Sequence, residues 1–160
     1  MGLGDMFLKI EGAKQGVIKG ESKDTSHKEE VDVVSWSWGM QSHASIQAGL
    51  PSGKTSITEL VVTKRADKAS TAIMGSLRNN EVIKKATLTV RKSGQSPLEY
   101  MKIVLEQARI VSFSVTGGTA EGGPEVKETV GLAFKKISVQ YTPQGDDGQA
   151  RGVTSFETEL

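Results

Sequence analysis

Polar and apolar positions alternate along most of the chain. Ala86, Leu88 and Val90 alternate with Lys85, Thr87, Thr89 and Arg91, and Met101, Ile103 and Leu105 share one parity. A period of two marks a strand with one buried face. The pattern predicts strands near 6–10, 15–20, 30–39, 56–65, 82–92, 98–115 and 125–142. Two of these change their apolar parity partway. Val126, Val130, Leu132 and Phe134 share one face, whereas Ile137, Val139 and Tyr141 share the other, with the switch near Lys135-Lys136. In Val31 to Gly39 the apolar positions pass from Val31 and Val33 to Val34, Trp36 and Trp38, which predicts two indoles in the core and Ser35 and Ser37 outside it. A strand that exchanges its buried face contains a bulge or bend of the kind that barrel corners require. One segment alone has helical spacing: Ala69, Ala72, Ile73, Ser76 and Leu77, with Asp67 as N-cap and Asn79-Asn80 as the stop. Turns are expected at Gly117-Gly118, Gly122-Gly123-Pro124 and Gly145 to Gly148. Gln41 to Lys54 has no clean period, and a loop that long in a compact domain is usually functional. The predicted fold is mainly β: a β-barrel of two antiparallel sheets with one flanking α-helix and a long extended loop.

Composition narrows the classes. The chain has 160 residues, which points to a single domain over 1–160. Its 18 glycines favour turns and strands over a helical bundle. Twenty basic residues against 19 acidic ones give a net charge of +1, which argues against a nucleic-acid partner. No apolar run is long enough to cross a membrane as a helix, so no membrane insertion is expected. The first residues, MGLGDMFLKIEG, lack the basic and apolar regions of a signal peptide. The absence of cysteine removes disulfides, thiolate metal sites and thiol nucleophiles.

The candidate chemistry is thin. Ala48 to Thr55 loosely matches a phosphate-binding loop, but Ser56 to Arg65 reads as strand where such a loop needs a helix. His27 lies in a polar turn flanked by Lys28, Glu29 and Glu30, and reads as solvated or turn-bonded. His43 lies in the long loop, and neither histidine sits near a nucleophile motif. Two histidines without cysteine do not make a zinc site, and Asp146-Asp147-Gly148 lacks the alternating ligands of a calcium loop. Lys84-Lys85 and Lys135-Lys136 fit solubilised strand edges. No catalytic residue, metal or cofactor is therefore expected. A β-rich domain without an active site is commonly a binding or assembly module, and its edge strands can build rings or filaments.

Several ordered segments carry a resemblance. Asp5 to Ile10, Gly20 to Asp24, His27 and Ser35 to Gly39 resemble the haemolysin-coregulated protein (Hcp) family, the tube proteins of bacterial type VI secretion systems. So do Thr63 to Ser70, Ala86 to Lys92, Glu99-Tyr100 and Val139 to Tyr141. The resemblance covers residues 5 to 143, while the tail 144–160 matches weakly and the long loop is poorer in glycine than the family pattern. It implies a homo-hexameric ring, rings stacked into a hollow tube, a contractile sheath that expels the tube, a spike protein at the tip, and secreted effectors carried in the lumen. It also implies assembly in the bacterial cytoplasm and export without a signal peptide. No further domain, such as a C-terminal toxin, is expected. Alternation leaves open whether Ser35 and Ser37 face solvent or a lumen; the resemblance favours the lumen. Ile46, Leu50 and Pro51 are expected to form the apolar tip of a ring-stacking loop. The alternative is a monomeric small-ligand-binding β-barrel.

Overall fold

The computed structural model describes residues 5–43, 54–92, 98–144 and 152–160. Twelve strands and one helix follow in order: β1 (Met6–Gly12), β2 (Gly16–Ile18), β3 (Val31–Asp32), β4 (Ser35–Ser37), β5 (Met40–Ser42), β6 (Thr55–Ile57), β7 (Leu60–Arg65), α1 (Ser70–Arg78), β8 (Ile83–Arg91), β9 (Glu99–Ala120), β10 (Gly123–Ala133), β11 (Lys136–Tyr141) and β12 (Thr154–Glu159). All pairings are antiparallel.

The 22-residue β9 organises the fold. Its first half pairs with β8 and β11, and its second half with β10. One sheet holds β2 and β3 on β1, then β8, the first half of β9, β11 and β12; the other holds the second half of β9, then β10, β7 and β4. The bend between them falls at Gln107, whose φ of 50° is a left-handed conformation. The buried face of β9 is odd-numbered before it, at Ile103 and Leu105, and even-numbered after it, at Ala108 and Ile110. Opposite this kink the chain breaks between β10 and β11, and the Lys135 N–H donates to the Glu106 and Gln107 carbonyls. The predicted parity switch at Lys135-Lys136 is thus a corner: Leu132 and Phe134 are buried before it and Ile137 after it.

The other parity switch crosses between the sheets. The Val33 N–H donates to the Met6 carbonyl on β1 at 3.0 Å, and the next N–H, of Val34, donates to the Thr63 carbonyl on β7 at 2.8 Å. The ladder does not run unbroken around the molecule; this one segment spans the gap between β1 and β7. The core between the sheets holds Leu8, Ile10, Val31, Leu60, Val62, Leu88, Leu105, Val130 and Leu132, and Trp36 and Trp38 pack at its margin as half-buried side chains. The indoles face inward as expected but are not fully enclosed.

The helix forms where its stripe predicts, with Ala69, Ile73 and Ser76 buried. The N-cap position is Ala69, without a side-chain cap bond, and not the expected Asp67; Asp67 and Ser70 instead close the turn that leads into the helix, where the Asp67 carboxylate accepts the Ala69 N–H at 2.9 Å and the Ser70 hydroxyl accepts the Asp67 N–H at 3.0 Å. Beneath the helix start, Lys64 is fully buried. Its ammonium donates to Glu128 at 2.6 Å and to the Ser70 hydroxyl at 3.2 Å, and pairs with Asp67 at 2.9 Å. This network fastens α1 to β7 and β10.

Two expectations about the connections need correction. Gly117 and Gly118 are not a turn; they pair with Val126 and Glu125, so the ladder continues and the chain reverses at Glu121-Gly122. The segment 41–54 is not irregular at its base, because β5 and β6 pair there as a ribbon and the His43 N–H donates to the Lys54 carbonyl. The expected turn from Gly145 to Gly148 lies outside the described residues, whereas the weakly matching tail does supply β12 as an edge strand on β11.

Candidate functional site: the outer face of the four-stranded sheet

Register fixes which side chains share a face. In the sheet of β4, β7, β10 and β9, Trp36, Val62, Val130 and Phe113 lie in one row across the strands and face the core. The rows on either side face outward. One is Ser35, Thr63, Thr129 and Ser114; the other is Ser37, Val61, Gly131 and Ser112. Ser35, Ser37, Ser112 and Ser114 are exposed. The outer face is therefore small and rich in hydroxyls over four strands, a surface that offers hydrogen bonds without bulk. Gly131 is buried under its neighbours: a β-carbon there would lie 2.9 Å from Glu59 Oε1 and would collide with the Ser112 hydroxyl. A bulge at this row, where β9 places Val111 between the partners of Gly131 and Leu132, leaves Val111 unpaired and 42% exposed. The next outward row carries charge: Arg65 pairs with Glu125 at 3.1 Å, and Lys127 approaches the same carboxylate at 4.0 Å.

Ser35 and Ser37, the expected lumen residues, are joined on this face by Thr63, Thr129, Ser112 and Ser114. A signal for part of this set exists. Ser112-Phe113-Ser114 repeats the hydroxyl–aromatic–hydroxyl order of Ser35-Trp36-Ser37, and the two triplets occupy opposite edges of one sheet. Ile46, Leu50 and Pro51 lie outside the described residues.

The remaining candidates lie elsewhere in the fold. His27 is buried, not solvated. Its ring stacks on Phe7 with centroids 4.5 Å apart, and its nitrogens meet Glu30 at 3.0 Å and Glu99 at 2.7 Å. The reason is that Phe7 lies on the face of β1 turned away from the core and needs a cover. The loop from Lys19 to Glu30 supplies it, closing tightly because Gly20 lies against the backbone of Glu30, where a β-carbon would sit 2.6 Å from the carbonyl oxygen. Arg91 caps the other side of the Phe7 ring at 5.0 Å and binds Asp5 and Asp24. Its guanidinium holds the Asp24 carboxyl below the usual carboxylate range, against the opposing effect of burial. Asp32 moves the other way, raised by burial and then by the like charge of Asp67. His43 meets the Ser56 hydroxyl at 3.2 Å on an exposed ribbon. Thr55–Ile57, after the loose phosphate-loop match, is strand and not helix. Among the described residues no three His, Cys, Asp or Glu side chains are grouped to hold a metal.

Comparison with known proteins is consistent throughout. The family model described as "Type VI secretion system effector, Hcp" matches residues 7–141. The chain is 39% identical over 151 residues to "Protein hcp1" of Pseudomonas aeruginosa, covering 92% of this chain and 89% of that one. Hcp1 from Salmonella typhimurium superposes with a TM-score of 0.77 at 31% identity, covering 97% of this chain and 93% of that one. A solved type six secretion system protein superposes with a TM-score of 0.85, covering 97% of this chain and 96% of that one; at 23% identity it speaks to the fold alone. No described helix is long and apolar enough to cross a membrane. With more than half of the chain matched by the family model and 39% identity to a curated relative, the chain belongs to the Hcp family of the type VI secretion system.

Proposed function

We propose that this protein is the tube subunit itself: six copies close into a ring, rings stack into a hollow tube, and the hydroxyl face of the β4-β7-β10-β9 sheet lines the lumen and holds small effectors. The observation that carries this reading is that face. Two outward rows, made of Ser, Thr and Gly except for Val61, run over four strands, backed by a row with Trp36 and Phe113 at its two ends. A wall that accommodates varied cargo needs many hydrogen-bonding groups and little bulk. Assembly begins in the cytoplasm; a contractile sheath then expels the tube behind a spike. The function is mechanical and needs no catalytic residue. The alternative of a small-ligand barrel would need an interior site, and the interior is filled by Leu8, Ile10, Leu88, Leu105 and Leu132.

Native mass spectrometry and electron microscopy of the purified protein test the ring. The expected result is a closed hexamer whose subunit interface buries more than about 1,000 Å²; a monomer at tens of micromolar overturns it. Stacking is assigned to the arm that the β5–β6 ribbon begins, with Ile46, Leu50 and Pro51 as its apolar tip. Replacing Ile46 and Leu50 with Asp is expected to abolish tubes and spare rings, because the added charge repels only between rings. Normal tubes from that variant overturn the assignment.

A further inference from the structure

At one end of the hydroxyl face a cleft of about 620 Å³ opens, lined by Ser37, Trp38, Ile57, Thr58, Glu59 and Val61. Its chemistry differs from the rest of the face. Glu59 is exposed, and its carboxylate makes no ion pair or hydrogen bond with any described residue. The missing side chain at Gly131 leaves it room over the sheet, since a β-carbon there would stand 2.9 Å from Oε1. Trp38 lines the same cleft, half-buried, so an aromatic surface lies beside the unpaired anion. A carboxylate beside a half-buried indole suits a cationic side chain: the first supplies charge, the second apolar surface for the aliphatic stem. Ser37 adds a hydroxyl at the rim. The opposite end of the face has the reverse sign, because Arg65 and Lys127 share the single carboxylate of Glu125. The two ends are four residues apart along β7, from Val61 to Arg65, or about 13 Å at strand spacing.

We propose that this cleft is a recognition site for a Lys or Arg side chain of the cargo polypeptide, which lies extended along the face with its cation at Glu59. The inference rests on reading this face as the cargo surface and adds what that surface selects. The small hydroxyls tolerate many sequences, whereas Glu59 and Trp38 prefer a basic residue at one position. The reversed charge at Arg65 and Lys127 disfavours a second cation at the far end and so gives the bound segment a direction.

The test uses the assembled protein and two fluorescent peptides of repeated Gly-Ser-Arg and repeated Gly-Ser-Glu, followed by anisotropy at low and physiological salt. Wild type is expected to bind the Arg peptide more tightly, and Glu59→Gln to lose about threefold of that preference, the scale of one exposed ion pair with an aromatic neighbour. Glu59→Lys is expected to reverse it. Equal binding of the two peptides to wild type overturns the inference, and so does a preference that both variants retain. Sedimentation velocity on the same samples reads the ring independently. A charge preference in a protein that does not form rings would sink the tube reading alone, whereas intact rings without that preference would sink the cleft alone.

Discussion

The buried Lys64–Glu128 pair gives the sharpest test of how this fold is held together. Both side chains are almost fully enclosed, at 0% and 2% exposure. Transfer of such a pair from water is costly, so its net contribution is small; the loss of one partner is another matter. Lys64→Met leaves the Glu128 carboxylate with only the Ser70 hydroxyl, at 2.9 Å, to hold its charge. The expected cost is about 3–5 kcal/mol, the scale of an uncompensated buried charge. Glu128→Gln should cost less, because Lys64 keeps Asp67 at 2.9 Å. The double variant Lys64→Met with Glu128→Leu should recover at least half of the single-variant loss, since two apolar side chains then meet where two charges met. Urea unfolding at one fixed protomer concentration reads all of these as midpoint shifts with an unchanged slope. If Lys64→Met stays within about 0.5 kcal/mol of wild type, or if the double variant is as unstable as the sum of the singles, the pair does not fasten the helix as argued.

Trp36→Ala should cost about 3 kcal/mol, at the low end for an aromatic truncation because the indole is half-buried; Ser37→Gln on the opposite face should cost under about 0.5 kcal/mol and weaken effector binding by steric intrusion, and thermal melts with pull-down of a lumenal effector check both. Asp24 is held below its ordinary value by Arg91, so its contribution is present above the unfolded carboxylate range and lost as pH falls below about 4 through the folded value; Asp24→Asn should flatten the acid limb of a melting-temperature profile. Asp32 has the opposite sign: with its carboxyl raised by burial and by Asp67, ionisation works against the fold, so stability is lost as pH rises through the carboxylate range. Asp32→Asn should therefore raise the melting temperature at neutral pH and leave it unchanged in acid; an unchanged value at neutral pH refutes the assignment.

Much of the architecture was legible because burial imposes a period. Strand positions, the helix at Ser70–Arg78 and both parity switches could be read from which residues alternate. What could not be read was set by neighbours distant in sequence. The kink of β9 rests on Gln107 at a φ of 50°, and glutamine carries no signal for a left-handed conformation. His27 read as solvated or turn-bonded because its own neighbours are charged; its contact with Glu30 at 3.0 Å bears out the second, and it is buried because Phe7, twenty residues earlier, faces outward and is covered by the loop that carries the histidine. Gly117 and Gly118 looked like a turn because glycine permits one, yet their partners Val126 and Glu125 extend the ladder past them.

The candidate surface shows the same division. Alternation assigns Ser35 and Ser37 to the face opposite the indoles, and it does the same for Ser112 and Ser114 around Phe113. Neither triplet says that the other exists. They become one surface because β7 and β10 lie between β4 and β9, with Val62 and Val130 joining Trp36 to Phe113 across the buried row. Thr63 and Thr129 fill the outward row between the serines, and Gly131 clears the space in which Glu59 rests. The unpaired carboxylate of Glu59 thus has its room from a glycine 72 positions away in the chain. Gly131→Ala leaves the carboxylate in the protein and moves it off the cleft. If cation preference depends on where that charge stands, Gly131→Ala should reduce the Arg-peptide preference with Glu59 intact. If the preference survives with the glycine gone, the charge acts at long range and the cleft geometry is irrelevant.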